Sequence, residues 1–413
     1  MSSPGSHLSG VWSKVTDLQI ERGIGCRVVD TNGNEYLDFT SGIAAASTGH
    51  AHPKVVQAIS EQAAKIVHAQ INVYRHDLLD PLATKLAEIT PDGLDTFYFD
   101  SSSDAVLEAA VKLAKHATGR RNVVVFDGAF HGRTHYTMAM SSSRAIDREG
   151  YGPLPAGVLI APFPDPHASD QEAEVSRALR ALDRIFATQT PASEVAAMVI
   201  EPVIGERGYI PTPKVFIEGL AERCAANGIL FVADETQSGF GRTGRMFAIE
   251  SLGVVPDILC MAKGIASGFP FAAFGTRREL DDQWRTGSHS GSSNGNPLGC
   301  AAALATIEVL TEPGFLDNVK SRGDQLIDAL RDLQQLDQAL LHVRGRGLMV
   351  ATEFDTAERA QAIVEHCLTE NKLILMTAGT RNRTIRWIPP LIATSDDINE
   401  AVSAFASAIR ATG

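Results

Sequence analysis

Apolar positions between about residues 80 and 300 fall into two alternating kinds. Residues 96–99, 123–126, 196–200, 229–233 and 258–262 form short continuous apolar runs, as in strands buried on both faces. Residues 107–118 instead carry Leu107, Ala110, Val111 and Ala114 at i, i+3, i+4 and i+7, which predicts an amphipathic helix. A further helix over 81–89 precedes the first of these strands. Such alternation requires a mostly parallel sheet with crossover helices, an α/β class. Upstream, residues 11–40 read as an opening helix and then a hairpin, 26–29 and 35–39, around D-T-N-G-N. Pro53 starts a helix over 54–67.

Beyond Asn296-Pro297 the pattern turns helix-rich, with helices over 301–310, 318–333 and 357–371 and strands over 348–354 and 384–388. A last helix starts near Ser395, an N-cap candidate with Asp396 and Asp397 in the first turn. The division expected is a large domain, residues 61–300, and a discontinuous smaller α+β domain made of 1–60 and 301–413.

The five cysteines (26, 224, 260, 300, 367) are scattered without metal-type spacing, which suits a reducing cytoplasm. A net charge of −12 argues against a nucleic-acid surface. No signal-like start or run of membrane-spanning length is present, so neither secretion nor a membrane is expected. His50 and His52 sit beside Pro53 without a nearby thiolate or acid, and no metal site is expected there.

The chemistry collects at the ends of the runs. Residues 229–233 stop at Asp234, with Gln237 in the polar loop that follows, and residues 258–262 stop at Lys263. Open α/β sheets place ligands at that carboxyl edge. An aspartate and a lysine held there suit pyridoxal 5'-phosphate, whose aldehyde condenses with the lysine amine and whose pyridine nitrogen pairs with the carboxylate. Gly239-Phe-Gly-Arg-Thr-Gly244 fits G-x-G-x-x-G, but it follows five intervening residues and opens no helix, so a nicotinamide site is rejected.

D-E-T-Q-S-G-F-G-R-T-G, with M-A-K-G placing Lys263 29 residues beyond Asp234, resembles the class III aminotransferases of the ω-amino acid or 4-aminobutyrate type. The resemblance implies a fold-type-I pyridoxal phosphate enzyme in which Lys263 and Asp234 are catalytic. It implies that Gln237, Phe130 and His131 touch the cofactor, although Phe130 without the resemblance reads more readily as core. Arg133, in F-H-G-R, matches the arginine that holds a distal carboxylate. Glu206, in E-P-V-I-G-E, and Arg386, in T-I-R-W, match a pair in which the arginine receives an α-carboxylate and the glutamate neutralises the arginine when an ω-amine is bound instead. Ile43 falls where the family lines its substrate pocket, while Ile204 and Arg207 depart from the usual Gln and Gly.

The phosphate cup is altered. Aligned without a gap, Ser103 takes the family's Gly position and Asp104 the next; a one-residue slip puts Ser102-Ser103 at the cup instead. The other wall, Ser290-Gly291-Ser292-Ser293-Asn294-Gly295-Asn296-Pro297, contributes Ser292 from a second subunit in the family, which implies a homodimer. The implied activity is transfer from a 4-aminobutyrate-like donor to 2-oxoglutarate. An amine–pyruvate transaminase and a glutamate semialdehyde aminomutase are the alternatives.

Overall fold

Seven short strands form the central sheet of the computed structural model, which describes residues 7–413. Their spatial order is Thr96–Asp100, Ala272–Thr276, Ile258–Met261, Leu230–Asp234, Val195–Ile200, Asn122–Phe126, Val158–Ala161. Leu230–Asp234 runs parallel to both neighbours, with Val232 opposite Ile258 and Val199. Only Ala272–Thr276 pairs antiparallel, on both its sides. Val195–Ile200 is buried at every position, which explains its unbroken apolar sequence.

Two of these strands have no counterpart in the sequence reading. Ala272–Thr276 is A-A-F-G-T, too small and too little β-branched to stand out. Its glycine is required, because a Cβ at Gly275 would lie 2.7 Å from the Phe97 ring. Val158–Ala161 is an edge strand with only Ala161 fully buried. The helices Gln171–Thr188 and Lys214–Asn227 are likewise additional.

Ser103–Thr118 is helical as predicted in its apolar face, with Leu107, Ala110, Val111 and Ala114 all buried, but it starts four residues sooner. Ser102 caps it, accepting from Ala105 N at 3.3 Å. The opening helix is not found: residues 7–19 have no regular structure, and Ile20–Ile24 is a strand paired antiparallel with Arg27–Asp30. Local propensity there yields to sheet pairing. The final helix, Ser395–Thr412, is capped by Thr394 rather than Ser395, in a reciprocal box with Asp397.

A four-stranded antiparallel sheet, Leu340–Arg346, Met349–Phe354, Thr384–Trp387 and Met376–Ala378, carries the C-terminal part. Leu373–Ile374 pairs parallel with Glu35–Asp38, so N-terminal and C-terminal segments share a sheet. Among the described residues no single helix is long and apolar enough to cross a membrane. No group of three or more His, Cys, Asp or Glu among them could hold a metal ion.

Candidate active site

Asp234 ends its strand directly opposite Cys260, and Lys263 follows the adjacent strand by two residues. Parallel pairing therefore brings both to the same carboxyl edge. Lys263 has φ 48°, a left-handed conformation that costs a residue with a side chain. The turn is tight on its other side too, since a Cβ at Gly264 would lie 2.6 Å from Ser47 Oγ. Burial lowers the Lys263 amine to a pKa of about 8, against the pull of the Glu206 carboxylate and with reinforcement from the Arg386 charge. A lysine so depressed supplies free amine near neutrality.

Asp234 is held by His131, Nδ1 to Oδ2 at 2.8 Å, and by Thr236 N at 3.0 Å. Both side chains of the His–Asp pair are buried. Burial works against the imidazolium, but the hydrogen bond and charge of Asp234 outweigh it and raise the His131 pKa. Glu201 ties the two neighbouring loops together, accepting from Phe130 N and Gly205 N at 2.9 Å each. Burial pushes its pKa up to about 7. The sequence marked Glu201 only as the first letter of a motif, because nothing in the letters reveals that it is enclosed.

Ser103, Phe130, His131, Glu206, Asp234 and Gln237 share one cavity with Lys263. On its wall His131 Nε2, Thr236 Oγ1 and Gln237 Oε1 are buried without a hydrogen-bond partner. Buried polar atoms seldom stay unpaired in a finished core, so this wall is made to meet a polar ligand. The residues fit pyridoxal phosphate: an amine for its aldehyde, a carboxylate for its ring nitrogen, an aromatic for its ring face. A helix N-terminus with hydroxyls suits its phosphate.

At that N-terminus the three side chains of the altered cup take different directions. Ser102 caps the helix and Ser103 reaches the cavity. The Asp104 carboxylate turns aside, accepting from Arg133 N at 3.1 Å and Ser103 Oγ at 3.2 Å. Gly132 makes room for it, since a Cβ there would lie 2.6 Å from Asp104 Oδ1.

Glu206 and Arg386 meet 2.6 Å apart, and Glu206 is the member that reaches the cavity. The Arg386 guanidinium lies 5.7 Å from the centre of the buried Tyr209 ring and 3.3 Å from Met376 Sδ. Besides Ser102, Asp104 and Arg386, which stand off the cavity lining, three more expected site residues are not brought to it. The Arg133 side chain is 59% exposed, pairs with Asp147 at 3.2 Å, and lies 5.8 Å from the Phe130 ring. Ile43, in the left-handed turn Ser41–Ala44, is exposed. Ser292 is exposed on its loop.

The rejected glycine motif has a structural use. Arg242, fully buried, donates to Leu348 O at 3.1 Å and Pro389 O at 2.5 Å, latching the C-terminal sheet to the Asp234 loop.

A lysine and a histidine-buttressed aspartate at the carboxyl edge of a mostly parallel sheet define a fold-type-I pyridoxal phosphate enzyme. The chain belongs to the class-III aminotransferase family, whose model matches residues 8–409. It is 38% identical over 376 residues to the 5-aminovalerate aminotransferase DavT of Pseudomonas putida, covering 89% of this chain and 87% of that one. It is 36% identical over 404 residues to a probable 4-aminobutyrate aminotransferase of Bacillus subtilis, covering 94% and 92%. An acetylornithine aminotransferase of Archaeoglobus fulgidus is 36% identical over 383 residues, with 93% of each chain covered. An amine transaminase from an uncultivated Pseudomonas species, solved in its PLP-bound form, superposes with a TM-score of 0.91 at 27% identity over 100% of this chain and 98% of that one. The protein is therefore a pyridoxal phosphate-dependent aminotransferase.

Proposed function

We propose that this aminotransferase takes its amino group from an ω-amino acid of the 4-aminobutyrate or 5-aminovalerate kind and delivers it to 2-oxoglutarate, in two half-reactions through one site. The observation that carries this reading is the ion pair of buried Arg386 with half-buried Glu206 beside Lys263. An enzyme that alternates between a donor with no α-carboxylate and an acceptor with one needs a cation it can switch off. Glu206 neutralises Arg386 while the ω-amine is bound. An incoming α-carboxylate displaces Glu206 and takes the guanidinium fork in its place.

Bound pyridoxal phosphate supplies an electron sink for the carbon that loses its proton. Lys263 takes that proton and returns it to the partner carbon, as a base whose depressed pKa suits work near neutrality. Asp234, fixed by His131, holds a proton at the ring nitrogen. Glu201 keeps the Phe130 loop against the Glu206 loop. Ser102 and Ser103 offer hydroxyls and a helix N-terminus to the phosphate. Arg133 becomes the reader of the donor's distal carboxylate by releasing Asp147 and turning inward.

The same reading includes a homodimer. Ser292 stands exposed, and its loop is tied to residues 70–74 through Asn72 Nδ2 and Ser290 Oγ at 2.8 Å, next to exposed Val73 and Tyr74. A second copy covering that face would bring Ser292 to the partner's cup. The discontinuous small domain is supported by the pairing of Glu35–Asp38 with Leu373–Ile374. Five free, buried cysteines suit a reducing cytoplasm.

A donor-by-acceptor panel on the cofactor-loaded protein tests the proposal. The expected outcome is that 4-aminobutyrate or 5-aminovalerate with 2-oxoglutarate outpaces simple amines with pyruvate. Faster turnover of simple amines with pyruvate would instead establish the amine–pyruvate reading. Repeated turnover of a donor, beyond one equivalent per site, with no keto acid added would establish an aminomutase.

A further inference from the structure

A second cavity, of about 350 Å³, lies between the carboxyl edge of the seven-stranded sheet and the C-terminal four-stranded sheet. Its walls carry Arg207, Arg344, Arg381 and Arg383 against the carboxylates of Asp127, Asp165 and Glu353. None of these groups belongs to the catalytic cavity.

The acids are spent unevenly. Glu353 is buried and serves two guanidiniums at once, Arg344 Nη1 at 2.5 Å and Arg383 Nη2 at 2.7 Å, with His167 Nε2 at 3.5 Å. Asp165 is turned into its own loop, accepting from His167 N at 3.0 Å. Asp127 is half-exposed and only 3.5 Å from Arg207 Nη1. Arg381, exposed at the rim, makes no hydrogen bond or ion pair among the described residues. Four guanidiniums thus face three carboxylates, and the surplus positive charge lies on the wall of the C-terminal sheet, where Arg344, Arg381 and Arg383 face the single carboxylate of Glu353. Its effect is felt at Arg344, held below its ordinary value by burial and then, against the attraction of Glu353, by the charges of Arg383 and Arg207.

The arginines are also placed rather than scattered. A Cβ at Gly128 would lie 2.3 Å from Arg207 Cδ, so glycine there lets Arg207 lie along the loop and donate to Asp127 O at 3.1 Å. Arg344 is braced by Gly208 O at 2.8 Å. Thr380 Oγ1 donates to Ser143 O at 3.0 Å, closing the rim between the two walls.

We infer that this cleft is a binding site for a small dianion, a dicarboxylate or a phosphate ester, held between Arg207 on one wall and Arg381 with Arg383 on the other. Guanidinium forks bind either anion bidentately, and the volume matches a metabolite-sized ligand. The cleft adjoins the catalytic site through the backbone, since Arg207 follows Glu206 and Gly379 N donates to Glu206 O at 3.0 Å.

The test is calorimetric titration of the cofactor-loaded enzyme at low ionic strength, with inorganic phosphate and with succinate as separate probes. Arg207→Gln/Arg381→Gln removes two partly or wholly exposed guanidiniums and so spares the fold, which a thermal melt verifies. Saturable binding of at least one probe is expected, weakened about 10-fold or more in the double variant and retained in Arg386→Leu, which removes only what the catalytic site contributes. Tighter phosphate binding assigns the site to phosphate esters, and tighter succinate binding assigns it to dicarboxylates. Absence of saturable binding to the wild type, equal affinity in the double variant, or loss of binding in Arg386→Leu overturns the inference.

Discussion

Arg386 lies within the strand Thr384–Trp387 with 3% of its side chain exposed, whereas Arg133 lies on a loop with 59% exposed. Both occupy positions where the family motifs expect a carboxylate reader. A strand between two neighbours fixes the direction of each side chain, so Arg386 can only point where it does. Buried there, it requires a partner, and Glu206 is the one it has. Its state without substrate is thus a formed ion pair, and a substrate carboxylate must replace like with like. Arg133 has no such constraint. Its guanidinium is exposed, and Asp147 keeps Arg144 as a second partner, so the Arg133 pair is worth about 0.2–1 kcal/mol and releasing it costs little. Under the proposed function, one arginine is preset and switched by exchange, and the other is recruited by rotation.

The comparison rests on Lys263 as the reacting amine, and breaking that has the largest effect. Lys263→Ala is expected to lower transamination by about 10³-fold or more, the scale set by loss of a positioned base. Borohydride treatment followed by denaturation and mass spectrometry checks the assignment. The wild type should retain cofactor mass and the variant none; retention in the variant means another lysine reacts.

The next effect is on pH. Because burial lowers the Lys263 pKa to about 8 in the cofactor-free protein, the amine is protonated and unreactive below that value. Cofactor capture should therefore rise about tenfold per pH unit up to roughly 8 and then level. Stopped-flow absorbance across pH 6 to 10 on the cofactor-free protein measures this. A rise continuing toward the ordinary lysine value would show that the amine is solvated.

Arg133→Leu sharpens the contrast. It should reduce kcat/KM for 4-aminobutyrate roughly 10-fold while leaving an uncharged amine nearly unaffected, since a charge-assisted contact is lost but the Asp147 pair need no longer be broken. Equal losses on both donors would place Arg133 in a structural role. The smallest effect is expected for Asp147→Asn, which frees Arg133 in advance. KM for 4-aminobutyrate should fall by up to about 5-fold, the equivalent of 1 kcal/mol, and steady-state kinetics against both donors would show it.

Asp234 and Lys263 were readable because each ends a continuous apolar run, and strand ends are where parallel sheets put their chemistry. Glu206 and Arg386 lie 180 residues apart and were paired only through motif resemblance, with no periodic signal to join them. Arg133 was legible as a letter but not as a position, because a loop leaves its side chain free to choose solvent. Glu201 and Arg242 were missed for the opposite reason: each is an ionisable residue enclosed by structure, and sequence carries no sign of enclosure. The Ala272–Thr276 strand failed on composition, and the opening helix failed because pairing with Arg27–Asp30 decides the conformation of Ile20–Ile24.

The exchange of Glu206 for a substrate carboxylate is tested most directly by resolving the two half-reactions in Arg386→Leu. Single-turnover absorbance should be recorded separately for glutamate with the aldehyde form of the enzyme and for 4-aminobutyrate with the same form. Cofactor absorbance is measured beforehand to correct for any protein destabilised by the unpaired Glu206. A charge-assisted contact of about 1.5–3 kcal/mol predicts a 10- to 150-fold lower specificity constant with glutamate and a nearly unchanged one with 4-aminobutyrate. Equal slowing with both substrates would contradict the account and leave Arg386 a structural residue.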